Sequence, residues 1–125
     1  MKLFPKQDGD FLIEMTKNEF FIIRGVLSHL TLKSAMGRDY DIILSTGWNE
    51  TQIFLLLTKI KESYQVDKQS CMALLSEEEI IFLQKAIEDT TSFIGQEFSI
   101  LIGRTIDEAL TVKDSFSKIL KLAKS

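Results

Sequence analysis

The chain has 125 residues, 45% of them hydrophobic and 26% charged, and its formal net charge is −3. This composition is typical of a globular domain with its own core and excludes a disordered chain. A negative net charge argues against duplex nucleic acid or polyphosphate ligands, because these require a basic face. We expect one domain over residues 1–125, no nucleic-acid partner, and a charge that suits a basic protein partner.

Cysteine usage and hydropathy narrow the class of protein further. Cys71 is the only cysteine, which excludes an internal disulfide and a cysteine-based metal cluster. It lies in a short apolar run, where a buried structural thiol is expected. Polar residues interrupt the N-terminal segment, and no run approaches the roughly 20 apolar residues of a membrane span. The sequence predicts a cytoplasmic protein that does not contact a membrane.

Two short strands and a long helix are predicted at the start of the chain. Apolar runs at residues 1–4 and 11–14, separated by Pro5 and a turn signal, predict a β-hairpin. The helix is predicted over residues 17–32, where the apolar stripe is wider than one face, as in a central helix. Gly25 in its interior costs about 1 kcal/mol relative to alanine, so we expect close packing there.

Thr16 and Ser76 each begin the same helix-start pattern, sixty positions apart. Each hydroxyl residue is followed three positions later by a glutamate, Glu19 or Glu79, and then at once by an apolar run. In such a capping box the hydroxyl accepts from the N3 amide, and the N3 glutamate accepts from the N-cap amide. The match predicts that one strand–helix unit is used twice.

The elements after the first helix follow the same order in both halves of the chain. A helix over residues 50–64 follows Asn49. A strand is predicted over residues 70–75, a helix over residues 77–92, and a last helix begins at Thr105. The apolar positions of these helices recur at helical spacing, so each helix is expected to pack one face on a core.

A short apolar connector separates the two long helices of each half. Residues 40–44 and 98–102 form the connectors, and Gly47 and Gly103 follow them, each two residues before a helix N-cap. Periodicity leaves both strand and helical turn open for such short runs. We favour short helices, because the glycine would then occupy the C′ position.

These observations predict an α+β fold, mainly α, with a small antiparallel sheet. It would consist of two pseudo-repeated strand–helix–connector–helix units, unit one over about residues 10–64 and unit two over about residues 70–122. The order of the elements supports a duplication. Identities between the units are few, so convergence of two helical hairpins is the alternative.

The sequence contains no pattern for catalysis, cofactor binding or metal binding. His29 is the only histidine; without a nearby nucleophile it makes no triad, and a metal site needs three or four ligands. The acidic runs at residues 77–79 and 107–108 lie in first helical turns, where they complement the helix dipole. There is no glycine-rich phosphate loop. We predict that the protein is not an enzyme and has no cofactor.

Asp39, Tyr40, Asp41 and Trp48 form the candidate binding site. The two carboxylates flank Tyr40 in the first connector, and the only tryptophan follows eight residues later. Acidic side chains interleaved with Tyr and Trp are typical of an interface hot spot for a cationic partner. The alternative is that Tyr40, which corresponds to Phe98, anchors its connector in the core.

One segment of the second unit has a recognisable pattern. Residues 97–109, EFSILIGRTIDEA, resemble a segment of short uncharacterised bacterial proteins. The shared pattern is an acidic residue and Phe, four residues, Gly, any residue, Ser or Thr, and an acidic pair that opens a helix. The resemblance covers residues 70–122. The first unit departs from it, with Asp39 and Tyr40 in place of Glu and Phe and two extra residues before Gly47.

In size, acidity and lack of cofactor motifs, the chain also resembles immunity proteins of toxin–immunity pairs, including those of contact-dependent inhibition. This resemblance implies a cytoplasmic immunity protein that binds and neutralises a cognate bacterial toxin, expected to be a basic nuclease. A hypothesis from another class is a non-enzymatic regulatory or scaffold module that forms a homodimer through an apolar surface. Gene order would discriminate between them, because an immunity gene lies next to its toxin gene.

Overall fold

A computed structural model describes residues 1–7, 9–35 and 46–124 of the protein. The elements in chain order are β1 (Lys2–Gln7), β2 (Asp10–Thr16), α1 (Lys17–Ala35), α2 (Glu50–Glu62), β3 (Ser70–Leu75), α3 (Glu77–Ile94), a 3-10 turn (Gly95–Glu97), α4 (Phe98–Ile102) and α5 (Ile106–Lys124). The fold is α+β and mainly α-helical, as predicted. The predicted elements in these ranges are present, and their ends differ from the predicted ones by a few residues.

The three strands form one antiparallel sheet in the order β1-β2-β3. The first two strands form the predicted hairpin, and β2 pairs with β3 in a register that places Ile13 opposite Ala73. Side chains alternate between the faces of a strand, so one face of β2 and β3 carries a buried set. The buried set consists of Phe11, Ile13, Met15, Cys71, Ala73 and Leu75. The thiol of Cys71 is therefore structural, and burial raises its pKa above the ordinary value.

Both predicted capping boxes are formed. Thr16 Oγ1 accepts from the amide of Glu19 at 3.1 Å, and Glu19 Oε1 accepts from the amide of Thr16 at 2.8 Å. The box between Ser76 and Glu79 has the same two distances. Because each box satisfies two amides that a helix start leaves unpaired, α1 and α3 begin directly at the ends of their strands.

The other two long helices begin with capping boxes as well. Asn49 and Gln52 cap α2 through reciprocal hydrogen bonds of 2.8 and 2.9 Å. Thr105 and Glu108 do the same for α5, both at 3.1 Å. These two boxes were not predicted, although the spacing of Thr105 and Glu108 fits the S/T-x-x-E rule.

Helix α1 lies at the centre of the molecule. It contacts α2, α3, α4 and α5, and its buried side chains face several of these neighbours at once. The buried residues of α1 are Phe20, Ile22, Ile23, Val26, Leu27, His29 and Leu30. Burying each large apolar side chain of this kind contributes about 1.5–3 kcal/mol. The wide apolar stripe therefore predicted the position of this helix correctly.

The second connector is a short helix, α4, as favoured above. It ends at Gly103, which has a left-handed φ of 81°, and Gly47 has a similar φ of 74°. Positive φ values are unstrained in glycine and strained in other residues. Phe98, at the start of α4, is fully buried and anchors the connector. The first connector, residues 40–44, lies outside the described residues.

The close packing predicted at Gly25 occurs between α1 and α4. A Cβ atom at this position would lie 2.9 Å from Ile102 Cγ2, which is closer than two such atoms approach. The missing side chain therefore allows α4 to lie directly on α1. None of the helices in residues 1–7, 9–35 and 46–124 combines the length and apolar character that crossing a membrane requires.

The internal duplication stays a prediction. Its sixty-residue shift relates Ile13 to Ala73, and these two residues are direct partners in the β2–β3 ladder. A two-fold axis through this pair would exchange β2 with β3 and α1 with α3. The same operation would not reproduce β1, which pairs with β2 and has no counterpart beside β3 in the described part of the chain.

Candidate functional site

Only one of the four predicted site residues lies in the described part of the chain. Trp48 immediately precedes the N-cap of α2, whereas Asp39, Tyr40 and Asp41 lie outside the described residues. The description of the site therefore begins from Trp48.

The position of Trp48 is determined by the turn before α2. Gly47 adopts a left-handed φ, and the amide of Trp48 donates to Thr46 Oγ1 at 3.3 Å. The indole is half-buried and stacks on the Phe82 ring of α3, with 4.1 Å between the ring centroids and an interplanar angle of 12°. Because Phe82 is a core residue, the tryptophan is attached to the core through this stack and still retains accessible surface.

Two adjoining clefts of about 450 Å³ each meet at Trp48. One follows α2 past Leu55, and the other follows α3 past Ile81. Both include Gln52 and Glu78. We call the surface made by these five residues the Trp48 groove.

The Trp48 groove combines apolar side chains with charges of both signs. Leu55 is 61% exposed and Ile81 is 37% exposed, so the indole is flanked by accessible apolar surface. The carboxylate of Glu78 has no ion-pair partner among the described residues. At the ends of the two clefts lie Lys59, which pairs with Glu79 at 2.8 Å, and Lys85.

These charges give the described part of the groove no excess of either sign, since two glutamates are matched by two lysines. The acidic character predicted for the site rests on Asp39 and Asp41, which lie outside the described residues. What the groove itself presents is an aromatic side chain with apolar neighbours and one unpaired carboxylate. That combination suits contact with another protein better than chemistry on a small substrate.

The other side chains considered for chemistry lie elsewhere. His29 is buried on α1 and lines neither of the two clefts at Trp48. In the described ranges, no three His, Cys, Asp or Glu side chains come together as ligands for a metal ion. The acidic first turns of α3 and α5 contain the capping glutamates Glu79 and Glu108, as the helix-start pattern indicates.

The neighbours of Trp48 were not predicted from the sequence. Gln52 has a local signal, because it completes a capping box with Asn49. Leu55 and Ile81 have no such signal. In the sequence, an exposed apolar residue beside a buried apolar stripe cannot be distinguished from the residues of the stripe. The contact with Phe82 joins the turn before α2 to α3. The spacing of residues along the chain therefore does not predict it.

Comparisons with protein-family models, with curated protein sequences and with solved structures gave no match. The functional argument for this chain therefore rests on its own residues.

Proposed function

We propose that the protein is a non-catalytic, cytoplasmic immunity protein that binds a bacterial toxin and blocks it by occlusion. The partner is expected to be a basic nuclease. The binding surface consists of the Trp48 groove together with Asp39, Tyr40 and Asp41 of the first connector. The likeness to immunity proteins in size, acidity and lack of cofactor motifs suggests the class, and the groove offers a surface that such a partner can bury.

The observation that carries this proposal is the half-buried Trp48 between the exposed apolar residues Leu55 and Ile81. Tryptophan is enriched at interface hot spots because it buries a large area with little loss of conformational freedom. The stack on Phe82 holds the indole in place before binding, which lowers the entropic cost of association. Glu78, Asp39 and Asp41 would add attraction for a basic surface.

The test is to co-purify the protein with the product of the adjacent gene and to measure affinity for single variants. Trp48→Ala and Leu55→Asp should each weaken binding by about 2 kcal/mol or more. Asp39→Ala and Asp41→Ala should weaken it mainly at low salt, because salt screens exposed charges. Asp114→Ala, an exposed carboxylate on α5, is the matched control and should bind normally.

Stability must be separated from binding in this test, because Trp48 also packs on the core. Leu55 is exposed and makes no such contact, so Leu55→Asp tests the groove in a fully folded protein. Wild-type affinity in Leu55→Asp, Trp48→Ala and both aspartate variants would remove this surface from the interface. Absence of any complex with the neighbouring gene product would contradict the immunity function.

A second candidate function, the homodimeric scaffold, is favoured by strand β3. In the described part of the chain β3 lies at the edge of the sheet, and none of its six residues is charged or proline. Edge strands usually carry such residues to prevent pairing with another chain. Antiparallel pairing of β3 with its copy would extend the sheet, and Met72, which is exposed, would lie at the joint.

Oligomeric state tests the scaffold candidate directly. Sedimentation of the wild type should show a dimer, and Met72→Lys should shift it to a monomer, because a charge at an edge opposes strand pairing. Glu77→Lys, just beyond the strand, is the control for added charge. A wild-type protein that stays monomeric at high concentration would exclude this candidate.

A further inference from the structure

Another cleft is lined by α1, α4 and Arg104 and has a different chemical character. It has a volume of about 530 Å³ and runs between α1 and α4. We call it the arginine groove and define it by Phe21, Arg24, Gly25, Leu101, Ile102 and Arg104. It exists because Gly25 lets Ile102 approach the backbone of α1, so the walls are formed by the residues on either side of this contact.

Two guanidinium groups lie over one aromatic ring in this groove. The guanidinium carbons of Arg24 and Arg104 are 5.4 and 5.6 Å from the centroid of the Phe21 ring. Arg104 is held in place, because its Nε donates to Asn18 Oδ1 at 2.5 Å and its Nη1 donates to the carbonyl of Gly103 at 2.8 Å. Both side chains therefore direct positive charge to the same end of the cleft.

Neither arginine forms an ion pair with a carboxylate of the described residues. Glu108 on α5 interacts electrostatically with Arg104, but its oxygens accept hydrogen bonds from Asn18 and Thr105. Two neighbouring arginines without an ion pair to the described residues are unexpected in a chain of net charge −3. The guanidinium of Arg24 and the remaining donors of Arg104 are available for an anion, and a planar guanidinium matches a carboxylate or a phosphate.

The other end of the groove is apolar. Leu101 is 54% exposed and Leu32 is exposed as well, and Ile102 also lines the cleft. Ser28 and the buried His29 complete the lining. An occupant therefore meets positive charge at one end and accessible apolar surface at the other.

We infer that the arginine groove binds a small anionic amphiphile, a carboxylate or phosphate group attached to an apolar chain or ring. The two guanidinium groups bind the anionic head, and Leu32, Leu101 and Ile102 contact the apolar part. The volume of the cleft falls within the range of about 300–1,000 Å³ that small-molecule sites occupy. A polyanion such as nucleic acid does not fit this site, because the negative net charge opposes an extended anionic ligand.

The experiment uses octyl phosphate and octanoate below the concentrations at which they form micelles. Binding is measured by calorimetry and by amide chemical shifts, with inorganic phosphate and octyl glucoside as the head-only and tail-only probes. At least one of the two anionic amphiphiles should bind at least tenfold more tightly than either partial probe, and the comparison between the two identifies the preferred head. The shifts should map to α1 and α4.

Variants assign the binding to the groove. Arg24→Gln and Arg104→Gln should each weaken binding about tenfold or more, since each removes charge-assisted hydrogen bonds. Leu101→Gln should weaken binding of the amphiphile and leave the affinity for inorganic phosphate unchanged. Lys85→Gln, at the position sixty residues after Gly25, removes a positive charge from the other groove and should have no effect.

Two further features keep the test decisive. Arg24 makes ring contacts but no hydrogen bond to the described residues, so Arg24→Gln folds normally even if Arg104→Gln does not. The only tryptophan lies in the Trp48 groove, so binding in the arginine groove should leave its fluorescence unchanged. Equal binding of octyl phosphate and octyl glucoside, or unchanged affinity in Arg24→Gln, would overturn the inference.

Discussion

The Trp48 groove and the arginine groove are formed in a similar way and differ in chemistry. In each, the residue between a left-handed glycine and a helix N-cap lies against the first long helix of the other half. That residue is Trp48 on α3 in one groove and Arg104 on α1 in the other. The same backbone arrangement therefore presents an indole on one side and a guanidinium on the other.

The similarity extends to the polar residues around the two turns. The N3 residue is Gln52 in α2 and Glu108 in α5. The second helical residue is Glu78 in α3 and Asn18 in α1. Asn18, Arg104 and Glu108 form a hydrogen-bonded chain. Their counterparts line an open cleft instead. A few side chains thus decide whether the polar groups beside such a turn bind one another or line an open cleft.

The largest expected difference between the grooves is in stability. It concerns the free energy of unfolding that is lost when the aromatic residue beneath each groove is replaced by alanine. Phe82 is a buried core residue under Trp48, whereas Phe21 is half-buried under the two arginines. Phe82→Ala should therefore cost about 3–5 kcal/mol of unfolding free energy. Phe21→Ala should cost about 1–2 kcal/mol, because less apolar area is lost. Urea denaturation measures both, and equal losses would mean that the grooves do not differ in depth.

The glycine of α1 offers a second comparison. Gly25→Ala gains about 1 kcal/mol of helix propensity but forces a Cβ to within 2.9 Å of Ile102. Overpacking costs about 1–3 kcal/mol, so we expect a net loss of up to about 2 kcal/mol. Lys85→Ala, at the corresponding position of α3, is exposed and should change stability by less than about 0.5 kcal/mol.

A double variant identifies the cause of the Gly25 effect. In an Ile102→Ala background the clashing methyl group is absent, so Gly25→Ala should become neutral or stabilising there. The arginine groove would also change shape in this background, and binding of octyl phosphate should weaken. If Gly25→Ala remains equally destabilising without Ile102, the close approach of α4 is not the reason for the glycine.

The capping boxes of the two halves should behave alike. Thr16→Ala and Ser76→Ala should each cost about 0.5–2 kcal/mol, since each removes an N-cap acceptor. Neither residue is expected to change partner affinity per folded molecule. Chemical denaturation tests this; an unchanged midpoint in either variant would contradict the structural role of that box.

Local patterns predicted most of the fold because the interactions that begin and end these elements are local. A capping box is closed within four residues, and the burial of α1 is visible in the spacing of its own side chains. The close contact at Gly25 was also foreseen, because a glycine inside a helix needs a compensating contact. Its partner, Ile102, could not be identified from the sequence.

The site was predicted less well because its contacts connect distant parts of the chain. The sequence indicates Trp48 through its position after the acidic connector, but its stack on Phe82 depends on how α2 and α3 are placed. The arginine groove had no signal in the sequence, since Arg24 is an ordinary charged residue of α1 and Arg104 one of the turn between α4 and α5. Their shared ring, Phe21, brings them together only in the folded chain.

The smallest expected effect is a pH dependence of stability. It distinguishes Glu108, the N3 residue of α5, from Gln52, the N3 residue of α2. Hydrogen bonds from the Thr105 amide, and then from the side chains of Asn18 and Thr105, lower the pKa of Glu108 below the ordinary value of about 4.3. A lowered folded-state pKa means that Glu108 stabilises the fold above the unfolded-state pKa. This contribution is lost as the pH falls through the folded-state pKa. Gln52 occupies the corresponding position in α2 and does not titrate.

Paired variants make this difference measurable. The stability gap between the wild type and Glu108→Gln should be constant above about pH 5 and should shrink steadily below about pH 4. Gln52→Glu should introduce the same acid sensitivity into the first half, because the new carboxylate would accept from the amide of Asn49 as Glu108 accepts from Thr105. Urea denaturation at several pH values follows both variants. A gap between wild type and Glu108→Gln that stays constant down to pH 3 would show that the α5 box does not depend on the ionised carboxylate, and the two halves would then begin their second helices in the same way.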